Sequence, residues 1–176
     1  MRFAYYDRLS RAQQEIYRKS DGIGSLGLPR GLQLGALVRT IEDALRADDR
    51  ASVQTECNAL IDALTAGYHV PRVAVRVLAR RPADGSGELH GLYEPAENRS
   101  PARITVWMRT AQRAQVVAPR TFLRTLIHEL CHHLDYELYS LEETFHTEGF
   151  YKRESSLVSA LLAQRQDDGG TRDEAG

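Results

Sequence analysis

The sequence predicts an α+β fold in which a small sheet of about three strands packs on helices. Apolar residues recur at helical spacing over residues 37–45 and again over residues 53–64. Strand-like alternation follows from Val73, and a long helix with one apolar stripe comes after it. With 42% hydrophobic and 27% charged residues in a length of 176, the composition is that of one ordinary globular domain.

Three parts are expected along the chain. Residues 1–35 combine a helix from Asp7 to Lys19 with a glycine-rich loop, and residues 36–165 form the main domain. Residues 166–176 are polar and are predicted to form a disordered tail. Because no apolar run is long enough for a signal peptide or a membrane span, a cytoplasmic location without membrane contact is expected.

Charge and cysteine content argue against some classes of protein. The net charge of −1 gives the whole molecule no field that would attract nucleic acid or anionic lipid. Between Arg72 and Arg124, however, ten arginines stand against four acidic residues, which indicates either a solvated face or an anionic partner. Cys57 and Cys131 are too few for a disulfide framework or a zinc ribbon, so each is predicted to be a small buried residue.

Three strands are predicted in the middle of the chain. The first begins at Val73, the second is ELHGLY at residues 88–93, and the third spans residues 103–109. One face of the third strand is expected to be core and the other to be available, and its exposed edge is predicted to hold an extended peptide by β-augmentation. The expected core residues of this strand are Ile104, Val106 and Met108.

The longest predicted helix runs from Pro119 to about Leu138, and a last helix is expected over residues 149–164. On a wheel of about 100° per residue, the apolar side chains of the long helix form a single stripe that is predicted to be buried. His128 and His132 lie off that stripe, side by side and one turn apart. That spacing lets two imidazoles bind one ion.

The two histidines belong to the stretch His128-Glu129-Leu130-Cys131-His132, which has the form H-E-x-x-H. In this motif the histidines hold Zn²⁺, and the glutamate, too far round the helix to bind the metal, takes a proton from the water on it. Zinc lowers the pKa of that water to about 7, so a carboxylate can act as general base at neutral pH. The motif therefore predicts metal-assisted hydrolysis, most often of a peptide bond, against the simpler alternative of a solvated polar face.

Two neighbours of the motif are expected to have supporting roles. His133 lies at the edge of the apolar stripe and is predicted to pack there or to support a ligand, not to bind metal itself. Asp135 lies on the side of the metal histidines, where it either accepts a hydrogen bond from an imidazole N–H or is an ordinary exposed residue.

A catalytic zinc site also needs a third protein ligand. Leu138 occupies the position six residues after His132, so a histidine at that spacing is excluded. The downstream candidates are His146, Glu148 and Glu154. His146 is favoured because it lies between two predicted helices, where the chain can return over the first; an acidic ligand would instead indicate a gluzincin or a small peptidase of the phage-repressor type.

With His146 included, the sequence resembles the SprT-like, or Spartan-type, zinc metallopeptidases over residues 36–164. The family's usual glycine just after the third histidine is replaced here by Thr147, with a glycine at Gly149 instead. The resemblance rests on the H-E-x-x-H motif, on His146 followed by Phe150 and Lys152, and on GLY at residues 91–93 with RITVWM at residues 103–108.

The resemblance implies a zincin-like metallopeptidase domain with its small sheet packed on the active-site helix. Zn²⁺ would be bound by His128, His132 and His146, Glu129 would be the general base, and the substrate would be a protein or a peptide. The candidates for stabilising an oxyanion are Tyr136, Tyr139, Tyr151 and Arg153.

Two alternatives of other classes stay open. The first is a non-catalytic binding module in which zinc pins the C-terminal helix to the active-site helix. The second is a nucleic-acid-associated protease that uses the arginine-rich residues 72–124. Many SprT-like proteins carry a cysteine-rich DNA-binding module, which two isolated cysteines cannot form.

Overall fold

A computed structural model of the chain describes residues 3–84 and 87–170. The described residues form five α-helices, a three-stranded mixed sheet and a two-stranded ribbon, so the predicted α+β class with a small sheet is confirmed. The helices are α1 (Arg11–Gly22), α2 (Gly35–Arg46), α3 (Arg50–Gly67), α4 (Pro119–Glu137) and α5 (Glu148–Gly170). The strands are β1 (Ala74–Arg80), β2 (Ala83–Asp84), β3 (Gly87–Glu88), β4 (Gly91–Glu94) and β5 (Arg103–Arg109).

The main sheet has the order β1-β5-β4, with β1 parallel and β4 antiparallel to β5. Because β5 is hydrogen-bonded on both sides, the prediction that its edge holds a peptide is wrong. The outer edge of β1 is also occupied, since side chains of α3 bond to its backbone: Gln54 to Val75 and Val77, and Asn58 to Val75. The outer edge of β4 likewise has no strand partner among the described residues, and it is the edge that remains for an extended chain to bind.

The two faces of β5 are less different than the sequence predicts. Ile104, Val106 and Met108 are buried, as expected. Thr105 and Trp107 on the opposite face are only 6% and 7% exposed, so the prediction that this face is available is wrong for the middle of the strand. The physical reason is the central position of β5, which gives these side chains neighbours on both flanking strands.

The core lies between the sheet and the helices. The apolar stripe of α4 is buried as its periodicity predicts, and α3 packs on β1 while α4 packs on β4 and β5. Cys57 and Cys131 are buried free thiols, which confirms the prediction for both. The arrangement places the polar side of α4, which carries the H-E-x-x-H motif, next to β4 and the start of α5.

Helix boundaries differ from the prediction at both ends of the chain. A 3₁₀ turn at Tyr6–Arg8 precedes α1, which starts later than expected because Ser10 and Gln13 form a capping box at its N-terminus. At the other end, α5 continues six residues past Gln164, so residues 166–170 of the predicted tail are helical and residues 171–176 lie outside the described residues. Contacts of two residues stabilise the last turns of α5. Gln164 bonds to backbone atoms near α2, and Arg165 pairs with Glu42. None of the described helices is long and apolar enough to cross a membrane.

Candidate metal centre

Three histidine side chains converge beside α4. His128 and His132 project from adjacent turns of that helix, and His146 reaches them from the segment just before α5. Their Nε2 atoms are 3.0 Å apart for His128 and His146, 3.2 Å for His128 and His132, and 3.1 Å for His132 and His146. The structure thus brings together the three residues that the sequence predicts as metal ligands.

The segment that carries His146 is held at its end by a helix cap. The Thr147 hydroxyl accepts a hydrogen bond of 2.9 Å from the backbone N–H of Phe150, so Thr147 caps the N-terminus of α5. The expected glycine after the third histidine is therefore replaced by a residue with a definite local function. The turn is pinned directly after His146, which limits where its ring can lie.

A hydrogen bond at Nδ1 of His128 orients the ring so that Nε2 faces the other two histidines. Its Nδ1 lies 2.8 Å from Glu154, whose carboxylate also accepts a bond of 2.5 Å from Arg124. Burial tends to raise the pKa of Glu154, but the bonds from His128 and Arg124 outweigh burial and lower it. Because the ionised carboxylate only accepts, His128 donates from Nδ1 and presents a lone pair at Nε2.

The same reasoning applies to His132 through a longer chain of bonds. The Thr144 hydroxyl donates to Asp135 at 2.8 Å, so its proton is already used. The contact of 2.8 Å between Thr144 and Nδ1 of His132 must then be donated by the imidazole. His132 therefore also presents a lone pair at Nε2, and a cation between the rings would relieve the repulsion between these lone pairs.

The spacing of the three nitrogens fits a zinc ion. Tetrahedral zinc with Zn–N bonds of about 2.0–2.1 Å separates its ligand nitrogens by roughly 3.3–3.4 Å, within a few tenths of an ångström of the observed spacing. Burial lowers the pKa of His132 to about 3, and it also lowers the pKa of His146. Both rings are therefore neutral at physiological pH, which is the form that binds metal.

The two acidic candidates for a third ligand lie elsewhere. Glu148 is on the surface of α5, where its carboxylate pairs with Lys152 at 2.8 Å. Glu154 contacts His128 on the side of the ring that faces away from the other two histidines. The geometry accordingly favours His146 as the third ligand and gives Glu154 the role of orienting His128.

Glu129 lies beside the histidines but outside their triangle. It is 6% exposed, and burial raises its pKa to about 7 against the opposing effects of His128 and of a hydrogen bond from the Tyr93 backbone. Gly91 makes this position possible, since a Cβ there would collide with the carboxylate oxygen and lie 2.8 Å from Cγ of Glu129. Strand β4 thus holds a buried carboxylate that can exchange a proton near neutral pH.

The contact with Gly91 leads to a prediction. Gly91→Ala is expected to push the Glu129 carboxylate away from β4 and to lower by about 10- to 100-fold the kcat/KM of a reaction in which Glu129 is the general base. Zinc content, measured by atomic emission, should remain that of the wild type because the three histidines are not displaced. Gly24→Ala is the matched control, since a Cβ at Gly24 has no atom of the described part of the chain within 4 Å. Equal activity of the two variants would contradict the positioning of Glu129 by Gly91.

A cleft of about 790 Å³ opens over the three histidines and Glu129. One side of it follows β4, and Tyr136 and Tyr151 line it, so both tyrosines stay candidates for stabilising an oxyanion. The other two candidates are wrong. Arg153 is 1% exposed and bonded within the protein, and the Tyr139 ring packs 5.3 Å from the Arg153 guanidinium.

The neighbours of the motif are both buried. His133 donates from Nε2 to the carbonyl of Pro71 at 2.7 Å and accepts at Nδ1 from the Tyr93 hydroxyl at 3.0 Å, so it packs away from the metal centre as predicted. Asp135 is 0% exposed, so it is not an ordinary surface residue. It reaches His132 only through Thr144, rather than by the direct bond that the sequence suggests.

Three supporting residues carry no sequence signal that would have identified their roles. Thr144 and Glu154 bond to imidazole Nδ1 atoms from 12 and 26 residues away, and Arg153 bonds to Asp135 from 18 residues away. Hydrogen bonds between residues so far apart in the sequence depend on how α5 docks on α4. Carboxylates and hydroxyls are common downstream of the histidines, so their presence in the sequence does not predict which of them bonds to an imidazole.

Several arginines of residues 72–124 are engaged in the structure. Those with acidic partners are Arg72 with Asp62, Arg81 with Glu88, Arg109 with Asp48, and Arg124 with Glu154. These pairs reduce the positive charge that the segment offers to an external partner. They favour the interpretation of a solvated, partly neutralised face.

A scan against protein-family models, a search of curated protein sequences and a search of solved structures each found no match to this chain. The resemblance to SprT-like peptidases accordingly rests on the motif residues of the sequence alone.

Proposed function

We propose that the protein is a zinc-dependent metalloendopeptidase of the SprT-like kind with a zincin-like fold. The observation that carries the proposal is the convergence of the Nε2 atoms of His128, His132 and His146 next to the buried Glu129. The cleft that opens over them can admit an extended chain. A merely polar helix face would not require a third histidine from the following loop to converge on the other two.

The three histidines would hold the zinc ion. When bound, zinc supplies Lewis acidity, which lowers the pKa of a water molecule to about 7 and polarises a peptide carbonyl. Glu154 and Thr144 keep the His128 and His132 rings oriented with their Nε2 lone pairs toward the centre.

Glu129 is the proposed general base. Its carboxylate would accept a proton from the attacking water and later deliver it to the amine that leaves. Both transfers are most efficient with a group whose pKa is near the working pH, and burial raises the pKa of Glu129 to about 7 in the metal-free protein. Its position is kept by the Tyr93 backbone and by the close approach of Gly91.

Strand β4 is the proposed docking site for the substrate backbone. None of the described residues forms a strand along its outer edge, and its residues line the same cleft as the histidines. An extended peptide can add to this edge through backbone hydrogen bonds, which gives affinity with little dependence on sequence. The substrate class that fits is therefore an unfolded or flexible segment of a protein.

The proposal is tested by comparing three proteins: the wild type, His146→Ala and Glu148→Ala. Wild type and Glu148→Ala are expected to bind about one zinc ion per chain and to cleave an unfolded protein substrate such as reduced casein. His146→Ala should bind zinc at least about 100-fold more weakly and should lose the cleavage, because it removes one of three ligands. Cleavage should also stop on chelation and return when zinc is added.

Each other result has a definite meaning. Zinc binding that is lost in Glu148→Ala and kept in His146→Ala would reject the proposed ligand set. Stoichiometric zinc that raises the melting temperature, with no cleavage of any unfolded protein, would reject the peptidase and support a zinc-stabilised binding module.

A further inference from the structure

The N-terminal segment contacts the loop that carries His146. The Tyr5 hydroxyl donates to the carbonyl of His146 itself at 2.8 Å. On α1, Gln13 bonds to the carboxylate of Glu143 at 3.0 Å. The loop that positions the third histidine is therefore held by residues from more than 120 positions earlier in the chain.

A second set of contacts joins the end of α1 to the support of His132. Arg153 donates from one guanidinium nitrogen to the carbonyls of Ser20 and Ile23, at 2.8 and 2.5 Å. The second terminal nitrogen of the guanidinium donates to the Ser20 hydroxyl at 3.0 Å and to Asp135 at 2.8 Å. Because the C-terminal end of a helix carries partial negative charge, the end of α1 is a favourable partner for a buried guanidinium.

The path from Arg153 continues without a break to the metal centre. Asp135 accepts from Thr144, and Thr144 accepts from His132, so each group fixes the orientation of the next. The end of α1 is thus linked to one ligand through Arg153, while Tyr5 is linked to another by a direct bond.

Gly149 allows α1 to come this close. A Cβ at Gly149 would lie 2.5, 2.6 and 2.7 Å from the carbonyl oxygens of Ser20, Asp21 and Ile23. The backbone N–H of Gly149 donates to the Asp21 carboxylate at 3.2 Å, so the end of α1 also satisfies a donor in the first turn of α5. These contacts explain why the glycine that follows the third histidine lies at position 149.

We propose that residues 3–23 are a structural part of the metal centre, which fix His132 and His146 in the geometry that binds zinc, with Arg153 as the positioning residue that links α1 to His132. The inference rests on the proposed function only in requiring that the three histidines bind zinc. It assigns a role to the N-terminal part of the chain, which the H-E-x-x-H motif leaves without one.

The first test compares two glycine-to-alanine variants at the same joint. Gly149→Ala places a methyl group against three carbonyl oxygens of α1 and is expected to weaken zinc binding by about 10- to 100-fold. Gly24→Ala, two residues past the end of α1 and outside residues 3–23, adds the same methyl group with no atom of the described residues within 4 Å and should change the zinc Kd less than about 3-fold. The Kd is measured by competition with a chromophoric chelator, and circular dichroism confirms that each metal-free variant is folded.

The second test uses a milder pair of variants, which decides the matter if Gly149→Ala does not fold. Tyr5→Phe removes the hydroxyl that bonds to the His146 carbonyl and is expected to weaken zinc binding by about 3- to 10-fold. Tyr68→Phe removes an equivalent bond of 2.7 Å, from a tyrosine hydroxyl to the Gly27 carbonyl, and should leave the zinc Kd unchanged.

The zinc readout separates this inference from the proposed function. If both matched pairs have the same zinc Kd as the wild type, residues 3–23 only pack against the domain and the inference is overturned. If the wild type binds zinc but cleaves no protein, the proposed peptidase function is overturned, and the two pairs of variants still test the role of residues 3–23. A wild type that binds no zinc would overturn both.

Discussion

Glu129→Gln is expected to lower kcat for peptide hydrolysis by about 10²- to 10⁴-fold while the protein still binds about one zinc ion per chain. The amide keeps the size of the side chain and can still accept the hydrogen bond from the Tyr93 backbone, but it cannot take a proton from water. The measurement is single-turnover cleavage of a fluorogenic peptide beside zinc analysis of the same sample. Glu137→Gln, at the exposed end of the same helix, is the control and should retain full activity.

The same substitution should change the pH dependence of stability in the metal-free protein. Burial raises the pKa of Glu129 from 4.5 to about 7, so the folded state binds the proton more tightly than the unfolded state does. The stability from this group is present below pH 4.5 and is lost as the pH rises through 7. Glutamine removes the penalty of ionising a buried carboxylate, so metal-free Glu129→Gln should gain up to about 3 kcal/mol at pH 8 and less than about 1 kcal/mol at pH 5.

Urea unfolding of the metal-free proteins at the two pH values measures this difference. An equal effect at pH 5 and pH 8 would mean that Glu129 titrates at its ordinary pKa and is not poised to act as a base near neutral pH. Full hydrolytic activity in Glu129→Gln would reject its role in the reaction altogether.

The part of the site that lies on one helix could be predicted from the sequence. His128, Glu129 and His132 are fixed relative to one another by helical spacing, and the apolar stripe of α4 determines which side faces the core. His146 could be proposed because only a few residues downstream can bind metal and the loop between two helices limits its position. These inferences depend on short distances along the chain, where backbone geometry leaves few alternatives.

The parts that could not be predicted depend on contacts between distant segments. The order of the strands puts β5 in the centre and β4 at the free edge, and nothing local in either strand distinguishes the two positions. From the sequence alone, Arg153 is a candidate for stabilising an oxyanion. Its burial against the end of α1 follows from the docking of α1 on α5, which involves residues more than 120 positions apart.

The buried pair of Asp135 and Arg153 leads to the prediction with the largest effect on stability. The two side chains are 0% and 1% exposed and are joined by a bond of 2.8 Å. Asp135→Asn removes the charge that compensates the guanidinium, and removing one member of a buried pair typically lowers the free energy of unfolding by about 3–5 kcal/mol. The zinc Kd should also rise by about 10- to 100-fold, because Asp135 fixes the Thr144 hydroxyl that orients His132.

Asp62→Asn is the matched control for this effect. Asp62 also bonds to an arginine, with 2.6 and 2.8 Å to Arg72, but the Arg72 side chain is 70% exposed and that of Asp62 is 37% exposed, so water replaces the lost interaction. Its stability and zinc affinity should stay close to those of the wild type. Urea unfolding and chelator competition on both variants would show whether burial makes the difference. If the two variants lost the same small amount of stability, the Asp135–Arg153 pair would contribute no more than a surface pair, and its link to His132 would have no energetic basis.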